Sequence, residues 1–363
     1  MPTHFLKTIR TFLIITLSIS VLFIGILEGL LYQFGETLPL GTVIRYQEKT
    51  NGLFGTRYIN IPLAYKIKLY QRHPADIVTF GSSRIMLVRP TYFSSGHSFL
   101  NEFTTVFEGN SFQGIWTLLH SMKKSRLPKV IFFDIDPWLF SPEFQENRTS
   151  AKQKLINSFP VLGKFRHIYR TLKNHMNAYT VFLDDKDDVF PYLFRKTQGM
   201  GLNARMLGTG IRLDGSYQLP KKIERKPLKT LEEWQKDLLN PSSQLFGPYA
   251  HLDAAAVRRF ERILDFCKTN NIEVIGLLLP FRPDLYAAMT QVKPYNAYFE
   301  EYRTKVPALL KKRGYLSYDF LNPASLQLTE KDFYDQDHYY PYVIKRIMKA
   351  VQRDYNSRKK KYF

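Results

Sequence analysis

The segment DIVTFGSSR (Asp76–Arg84) has the sequence pattern of a buried strand followed by a sharp turn. The β-branched and aromatic run Ile77–Phe80 has the length and composition of a buried strand, and Gly81-Ser82-Ser83 is a turn of small residues. We therefore predict a strand that ends at Gly81 and places a serine just beyond its carboxyl end.

Along the rest of the chain, similar strand patterns alternate with helical patterns. Ser111–Lys123 has helical spacing, and Lys129–Phe133 is a second apolar run that leads into Asp134-Ile135-Asp136. Asp253–Thr269 is predicted as an amphipathic helix and Glu273–Leu279 as a third buried strand. This alternation predicts an α/β fold, with a parallel sheet between layers of flanking helices. The remaining predicted elements are a helix near 296–312, a strand at Leu316–Phe320 and a last helix near 341–355.

The domain boundaries follow from changes in composition. Residues 139–250 carry dense charge and a glycine-rich stretch, so we predict a large insertion there, within an α/β domain that spans residues 71–355. Residues 35–70 are mixed in character and are predicted to be a linker. Residues 356–363 form a basic tail.

The first 34 residues are predicted to be a short cytoplasmic tip and a transmembrane anchor. The apolar pattern from Thr11 to Leu31 approaches the ~20 residues that a helix needs to cross a bilayer. Lys7 and Arg10 precede it, so the positive-inside rule places the N-terminus in the cytoplasm and the main domain outside. Glu28 interrupts the pattern near its outer end. A cleaved signal peptide or a buried core helix is the alternative interpretation.

Charge and cysteine content restrict the partners. Lys and Arg number 52 against 32 Asp and Glu, which gives a formal net charge of +20 and indicates an anionic partner. A domain outside the cytoplasm disfavours nucleic acid and favours anionic lipid, lipopolysaccharide or a teichoic-acid-like polymer. The single cysteine, Cys267, excludes an internal disulfide and a multi-cysteine metal site. We predict no cofactor and no metal.

Two segments from opposite ends of the domain carry residues suited to nucleophilic catalysis. Ser83 follows a strand, and ligands of parallel sheets bind beyond the carboxyl ends of the strands. Asp335 and His338 precede the last helix, three residues apart, so both can lie on one loop. Asp337, adjacent to the histidine, is predicted to point away from it. A serine nucleophile needs an imidazole base, which a carboxylate orients. Taken alone, Gly-Ser-Ser could be an ordinary turn, and Asp-x-x-His could be a helix cap with a surface histidine.

Together these motifs resemble those of the SGNH (GDSL-like) hydrolases. The resemblance rests on Asp76–Pro90, on the run into Asp136-Pro137-Trp138-Leu139-Phe140 and on Phe333–His338, and it covers roughly residues 58–140 and 250–350. The chain is most similar to membrane-anchored envelope members, namely the teichoic-acid D-alanyl-transfer protein and the alginate O-acetylation proteins. The resemblance implies Ser83 as nucleophile, His338 as base and Asp335 as its partner.

The chain departs from the family at the oxyanion hole. The family has a glycine after an Asn-x pair, whereas Asn101-Glu102 is followed by Phe103 here, and Asn101 is a candidate donor. The family has an asparagine after the next strand, where this chain has Asp136, which must be turned away, paired or protonated. Arg84 could neutralise Asp136 or bind an anionic acceptor.

These observations predict a serine acyltransferase or esterase of the SGNH type. It would modify an envelope polysaccharide, lipid or teichoic-acid-like polymer through an acyl-serine intermediate. The resemblance also implies an acyl donor and a multi-spanning membrane acyltransferase as partners. The alternative is a catalytically inactive protein that keeps the fold and serves as a binding or scaffold component. Arg212–Tyr217 is predicted to be a hairpin turn, and it could also form a wall of the site.

Overall fold

We describe the chain from a computed structural model, over residues 2–58, 62–103, 112–142, 175–192, 199–241, 243 and 245–358. It divides into two compact units. The first combines residues 1–60 with 164–210, and the second combines 61–163 with 211–363.

The second unit is built on a five-stranded parallel sheet, which confirms the predicted α/β class. Every residue of its first and third strands in chain order is buried, as expected for strands covered on both faces. The strands of this unit and of the short two-stranded sheet at 210–218 are β1 (Ile77–Gly81), β2 (Phe99–Phe103), β3 (Val130–Asp134), β4 (Gly210–Ile211), β5 (Tyr217–Gln218), β6 (Glu273–Leu278) and β7 (Leu316–Asp319).

The strand order of the large sheet is β2-β1-β3-β6-β7. The chain therefore reverses its direction of winding between β1 and β3. In open parallel sheets, ligands bind at such a reversal, in the crevice beyond the carboxyl ends of the two strands. The segment that follows Gly81 lies at this place.

Helices cover the sheet, and some of them begin at a side-chain N-cap. Asp253, for example, caps the helix Ala254–Thr269 by accepting a hydrogen bond from the backbone N–H of Ala256 at 2.6 Å. The helix positions predicted on either side of the strands agree with the structure. Among the described residues, the helices of eight or more residues in this unit are Pro62–Arg72, Phe112–Ser121, Leu231–Leu238, Ala254–Thr269, Pro283–Gln291, Tyr295–Lys312 and Pro341–Arg358.

The first unit contains the apolar N-terminal helix Pro2–Phe34. Of the described residues, only its segment Lys7–Phe34 is long and apolar enough to cross a membrane. The C-terminal end of this helix buries Leu27, Leu31 and Phe34 against a helix over residues 175–184. The other helices of this unit are Leu40–Thr50, Lys186–Val189 and Leu202–Leu207.

Two boundaries differ from the predictions. Residues 35–70 are not a plain linker, since they contain the helices Leu40–Thr50 and Pro62–Arg72. Nor is 139–250 a single insertion, since 164–210 is grouped with residues 1–60 in the first unit and 211–250 belongs to the second unit. Residues 143–174 and 193–198 of the predicted insertion, and 359–363 of the predicted tail, lie outside the described part of the chain.

Two glutamates of the first unit join parts of the sequence that are far apart. Glu36 is buried and accepts backbone hydrogen bonds from Arg57, Tyr58 and Leu202 at 2.7–3.0 Å. Glu28, which interrupts the apolar pattern, accepts hydrogen bonds from the Tyr179 hydroxyl at 2.8 Å and from His175 at 3.1 Å. Such pairing offsets the desolvation of a carboxylate.

Candidate active site

Strand β1 delivers Ser83 to the carboxyl edge of the sheet. After Gly81, the chain passes through Ser82 and enters a 3₁₀ turn, Ser83–Ile85. Gly81 has φ +151°, and a Cβ at this position would lie only 2.4 Å from the Cβ of Asp134. The ends of β1 and β3 can approach so closely only because residue 81 is a glycine.

The two adjacent serines have different surroundings. Ser82 is fully buried, and its Oγ donates to Asp134 Oδ2 at 3.2 Å and accepts the backbone N–H of Arg84 at 3.2 Å. Ser83 is half-buried, and its Oγ lies 2.5 Å from Nε2 of His338. Of the two, only Ser83 has an imidazole that could take its proton. The geometry therefore favours Ser83 as the nucleophile.

The loop before the last helix fixes His338 from its other side. Both carboxylate oxygens of Asp335 lie 2.9 Å from Nδ1 of His338, and Asp335 Oδ1 also accepts the backbone N–H of His338 at 2.8 Å. The three-residue spacing thus lets one carboxylate hold both the backbone and the ring. Ser83, His338 and Asp335 form the expected chain of contacts, and their catalytic roles remain predictions.

Asp337 does not lie where we expected. We predicted that its side chain would point away from His338, but its Oδ1 is 3.5 Å from Nδ1 of that residue, and the side chain is buried. The reason is the tightness of the loop, since Asp335 Oδ1 also accepts the backbone N–H of Asp337 at 3.1 Å. Burial raises the pKa of Asp337, and the charge of His338 opposes that change.

The two carboxylates set the charge state of the imidazole. Burial by itself would lower the pKa of His338, but the charge of Asp337 and the hydrogen bond and charge of Asp335 raise it to about 9. Burial would likewise raise the pKa of Asp335, yet its contacts with His338 lower that pKa to about 2. Asp335 is therefore ionised throughout the physiological range, and His338 is largely protonated at neutral pH.

An aromatic ring covers the imidazole. Tyr334 stacks on His338 with its ring centroid 5.6 Å away and an interplanar angle of 6°. Burial and the charge of Asp335 raise the pKa of Tyr334, so its hydroxyl stays protonated. The imidazole therefore has an aromatic neighbour whose plane is parallel to its own.

Arg84 is part of a buried ion pair. Its Nη1 lies 2.6 Å from Asp136 Oδ1, and its Nη2 donates to the carbonyls of Leu279 and Pro280 at 2.5 and 2.8 Å. Of the two roles predicted for Arg84, neutralisation of Asp136 agrees with the structure. Binding of an acceptor does not, because the side chain is buried and its guanidinium stacks on Phe281 at 4.0 Å.

Asp134, the last residue of β3, lies between these groups. Burial and the nearby charge of Asp136 raise the pKa of Asp134 well above its ordinary value, and Ser82 and Arg84 offset this only in part. Its Oδ1 is buried without a hydrogen-bond partner, which fits a neutral carboxyl group better than an ionised one.

Asn101 is not available as an oxyanion donor. Its side-chain N–H groups donate to the carbonyls of Ile85 and Val88, both at 3.0 Å, and its Oδ1 accepts the backbone N–H of Phe103 at 2.9 Å. These hydrogen bonds instead connect strand β2 to the segment that follows Ser83. Asn101 therefore supports the loop of Ser83, and its side-chain N–H groups are not free to donate to an oxyanion in this arrangement. Residues 104–111 lie outside the described chain.

Three residues of the site were missed in the sequence. Tyr334 and Asp337 lie in the same short loop as His338, and Asp134 lies at the end of a strand next to β1. A signal for Asp134 was available, because the carboxyl ends of neighbouring parallel strands meet at one edge. No local sequence pattern predicts that Tyr334 stacks on His338.

Side chains that could hold a metal ion also meet in this loop. Ligand atoms of Asp335, Asp337 and His338 lie within 4.8 Å of one another. Both imidazole nitrogens, however, already have protein partners, Nδ1 with Asp335 and Nε2 with Ser83. The observed arrangement therefore favours a hydrogen-bonded chain of Ser83, His338 and Asp335 over metal ligation.

Comparison of the chain with protein-family models, with curated proteins and with solved structures finds no match.

Proposed function

We propose that this protein is an SGNH-type serine acyltransferase or esterase that forms an acyl-serine intermediate on Ser83. One observation carries the proposal: Ser83 Oγ lies 2.5 Å from Nε2 of His338, whose Nδ1 contacts Asp335 at 2.9 Å. This order of hydroxyl, imidazole and carboxylate is what activation of a serine requires.

The reaction would proceed in two balanced steps. The Oγ of Ser83 attacks the acyl carbonyl while Nε2 of His338 takes the serine proton, and the leaving group departs with that proton. An acceptor hydroxyl then gives its proton to His338 and attacks the acyl-serine. As the tetrahedral adduct collapses, His338 returns that proton to Oγ of Ser83, and the free serine is restored. Asp335 stabilises the imidazolium in both steps. Water in place of the acceptor makes the same site an esterase.

The resemblance to membrane-anchored SGNH proteins supports the substrate class. The candidate nucleophile follows the first strand of a parallel sheet, and the Asp-x-x-His motif precedes the helix Pro341–Arg358. The proposed acceptor is an envelope polysaccharide, lipid or teichoic-acid-like polymer, and the acyl group would arrive from a multi-spanning membrane acyltransferase.

The apolar helix supports an extracytoplasmic location. With Lys7 and Arg10 at its start, we propose that the N-terminus lies in the cytoplasm and that the catalytic unit lies outside. Alkaline phosphatase fused after residue 363 is expected to be active, because that enzyme matures only outside the cytoplasm. Activity of a cytoplasmic reporter at the same position would contradict this topology.

Labelling with a fluorophosphonate probe tests the chemistry. Ser83→Ala is expected to abolish labelling because it removes the hydroxyl that contacts Nε2 of His338, whereas Ser82→Ala should keep much of it. Ser82→Ala is the matched control, since it removes a neighbouring hydroxyl from the same turn. Equal labelling of the wild type and Ser83→Ala would remove the assignment. Loss of labelling in Ser82→Ala alone would assign the nucleophile to Ser82.

The pH dependence of labelling follows from the charge on the imidazole. His338 must be neutral to accept a proton, so the labelling rate should rise with pH toward about 9, the pKa of His338. Asp337→Asn removes a negative charge that favours the imidazolium, so it should move this rise to lower pH. A profile that is flat above neutrality, or the same in both proteins, would contradict His338 as the base.

The second candidate is an inactive binding or scaffold protein with the same fold. The observation in its favour is that both side-chain N–H groups of Asn101 donate to backbone carbonyls. Neither is therefore free to donate to an oxyanion. A folded wild-type protein that resists the probe at pH 9 would favour this candidate.

A further inference from the structure

A basic cavity lies beside the candidate active site. Its volume is about 670 Å³, within the range of sites that hold small molecules or one or two sugar rings. Four of the residues that line it are cationic, and among the described lining residues none is Asp or Glu. The cationic residues are Arg89, Arg212, Lys221 and Lys222.

The positive charges of this cavity are not neutralised from within it. Arg212 is held in place by its hydrogen bonds to the Tyr217 carbonyl and Gln218 Oε1, both at 2.8 Å. Burial and the charge of Arg89 lower the pKa of Arg212, although Asp214 opposes this. That aspartate is engaged by the backbone N–H and hydroxyl of Ser216 at 2.8 and 2.5 Å. Clustered like charges of this kind are relieved when an anion binds.

Aromatic rings connect the cavity to the candidate base. Tyr340 lines the cavity and lies 5.6 Å from Tyr334, ring centroid to ring centroid, and Tyr334 stacks on His338. Arg89 follows Ser83 by six residues, and Tyr340 follows His338 by two. The cavity lining is therefore joined to both site residues by short stretches of chain, and to His338 also through two aromatic rings.

We propose that this cavity binds an acidic sugar unit, one that carries a carboxylate, sulfate or phosphate, and presents its polymer to Ser83. The cations match the anionic group, and Tyr92, Tyr217 and Tyr340 offer rings and hydroxyls to the sugar. This inference rests on the proposed function, in which it makes the acyl acceptor an acidic glycan.

Binding to the full-length protein in detergent tests the proposal. The probes are a hexauronate, a sulfated dextran oligomer, a neutral dextran oligomer of the same length and a single-stranded DNA of equal charge. We expect both acidic glycans to bind at least about tenfold more tightly than the neutral one, and more weakly as salt is added. DNA that binds as tightly as the acidic glycans would overturn the sugar assignment.

Exposed cations of the cavity allow a variant that preserves the fold. The triple change Arg89→Gln, Lys221→Gln, Lys222→Gln leaves Arg212 and its hydrogen bonds intact and should weaken binding of the acidic glycans by at least about tenfold. The matched control neutralises three exposed lysines elsewhere on the same unit and should bind like the wild type. The control positions are Lys236, Lys311 and Lys312. Equal affinities of the two triple variants would overturn the cavity assignment.

The same measurement in Ser83→Ala separates this inference from the catalytic one. Binding should persist in Ser83→Ala, since the hydroxyl is not part of the cavity. Wild-type protein that binds the acidic glycans but is never labelled would overturn the acyl-acceptor role and the proposed function, and would leave an acidic-glycan binding site. Labelled protein whose triple variant keeps full affinity would overturn the cavity alone.

Discussion

An Asp335→Asn variant is expected to lose roughly 10³–10⁴-fold in the rate of fluorophosphonate labelling, as loss of the orienting carboxylate does in serine proteases. Asp335 supplies the negative charge that stabilises the imidazolium, and it contacts Nδ1 of His338 at 2.9 Å. An asparagine could still accept the backbone N–H groups of the loop, so the fold should survive. A melting temperature close to that of the wild type checks this point.

Asp337→Asn is the matched control for this prediction. The side chain of Asp337 lies in the same loop and is also buried, but its oxygen is 3.5 Å from Nδ1, too far for a strong hydrogen bond. Measured above pH 9, its labelling rate should fall by less than about tenfold. Equal losses in the two variants would mean that Asp335 does not have the orienting role.

An Arg84→Met variant is expected to be destabilised by about 3–5 kcal/mol, because removing one partner of a buried ion pair leaves the other uncompensated. Asp136, at 2.6 Å from Arg84, would then be a buried carboxylate beside Asp134. For a unit of this size the loss corresponds to a fall of roughly 6–20 °C in melting temperature. Arg258→Met, on the exposed face of a helix, should change the melting temperature little.

A double variant separates the ion pair from packing. Arg84→Met combined with Asp136→Leu removes both charges and keeps apolar volume, so it should recover much of the lost stability. If the double variant were as unstable as Arg84→Met alone, the loss would come from the contacts of Arg84 with Leu279 and Phe281 and not from the charge left on Asp136.

The sequence allowed the sheet and the three main site residues to be predicted, because their signals are local. A run such as Ile77–Phe80 indicates a buried strand by itself, and the spacing of Asp335 and His338 places both on one loop. The carboxyl ends of parallel strands share an edge, so Ser83 and this loop could be expected to meet.

The features that were missed depend on contacts far along the chain or on fine loop geometry. From the sequence, the side chain of Asn101 was a candidate oxyanion donor. In the fold, its amide N–H groups donate to the carbonyls of Val88 and Ile85, which lie 13 and 16 residues away. Asp337 faces His338 because hydrogen bonds to Asp335 tighten the loop. Glu36 binds the backbone of Leu202, 166 residues later, and no local pattern could show that the segment predicted as a linker packs with the middle of the chain.

Mapping of the fluorophosphonate adduct tests whether Ser83 is a nucleophile activated by His338, as we propose. Full-length wild type and His338→Ala are treated with the probe at pH 9, digested and analysed by peptide mass spectrometry. We predict an adduct on Ser83 in the wild type and little or none in His338→Ala. An adduct on another residue, or equal modification of Ser83 in both proteins, would contradict the claim.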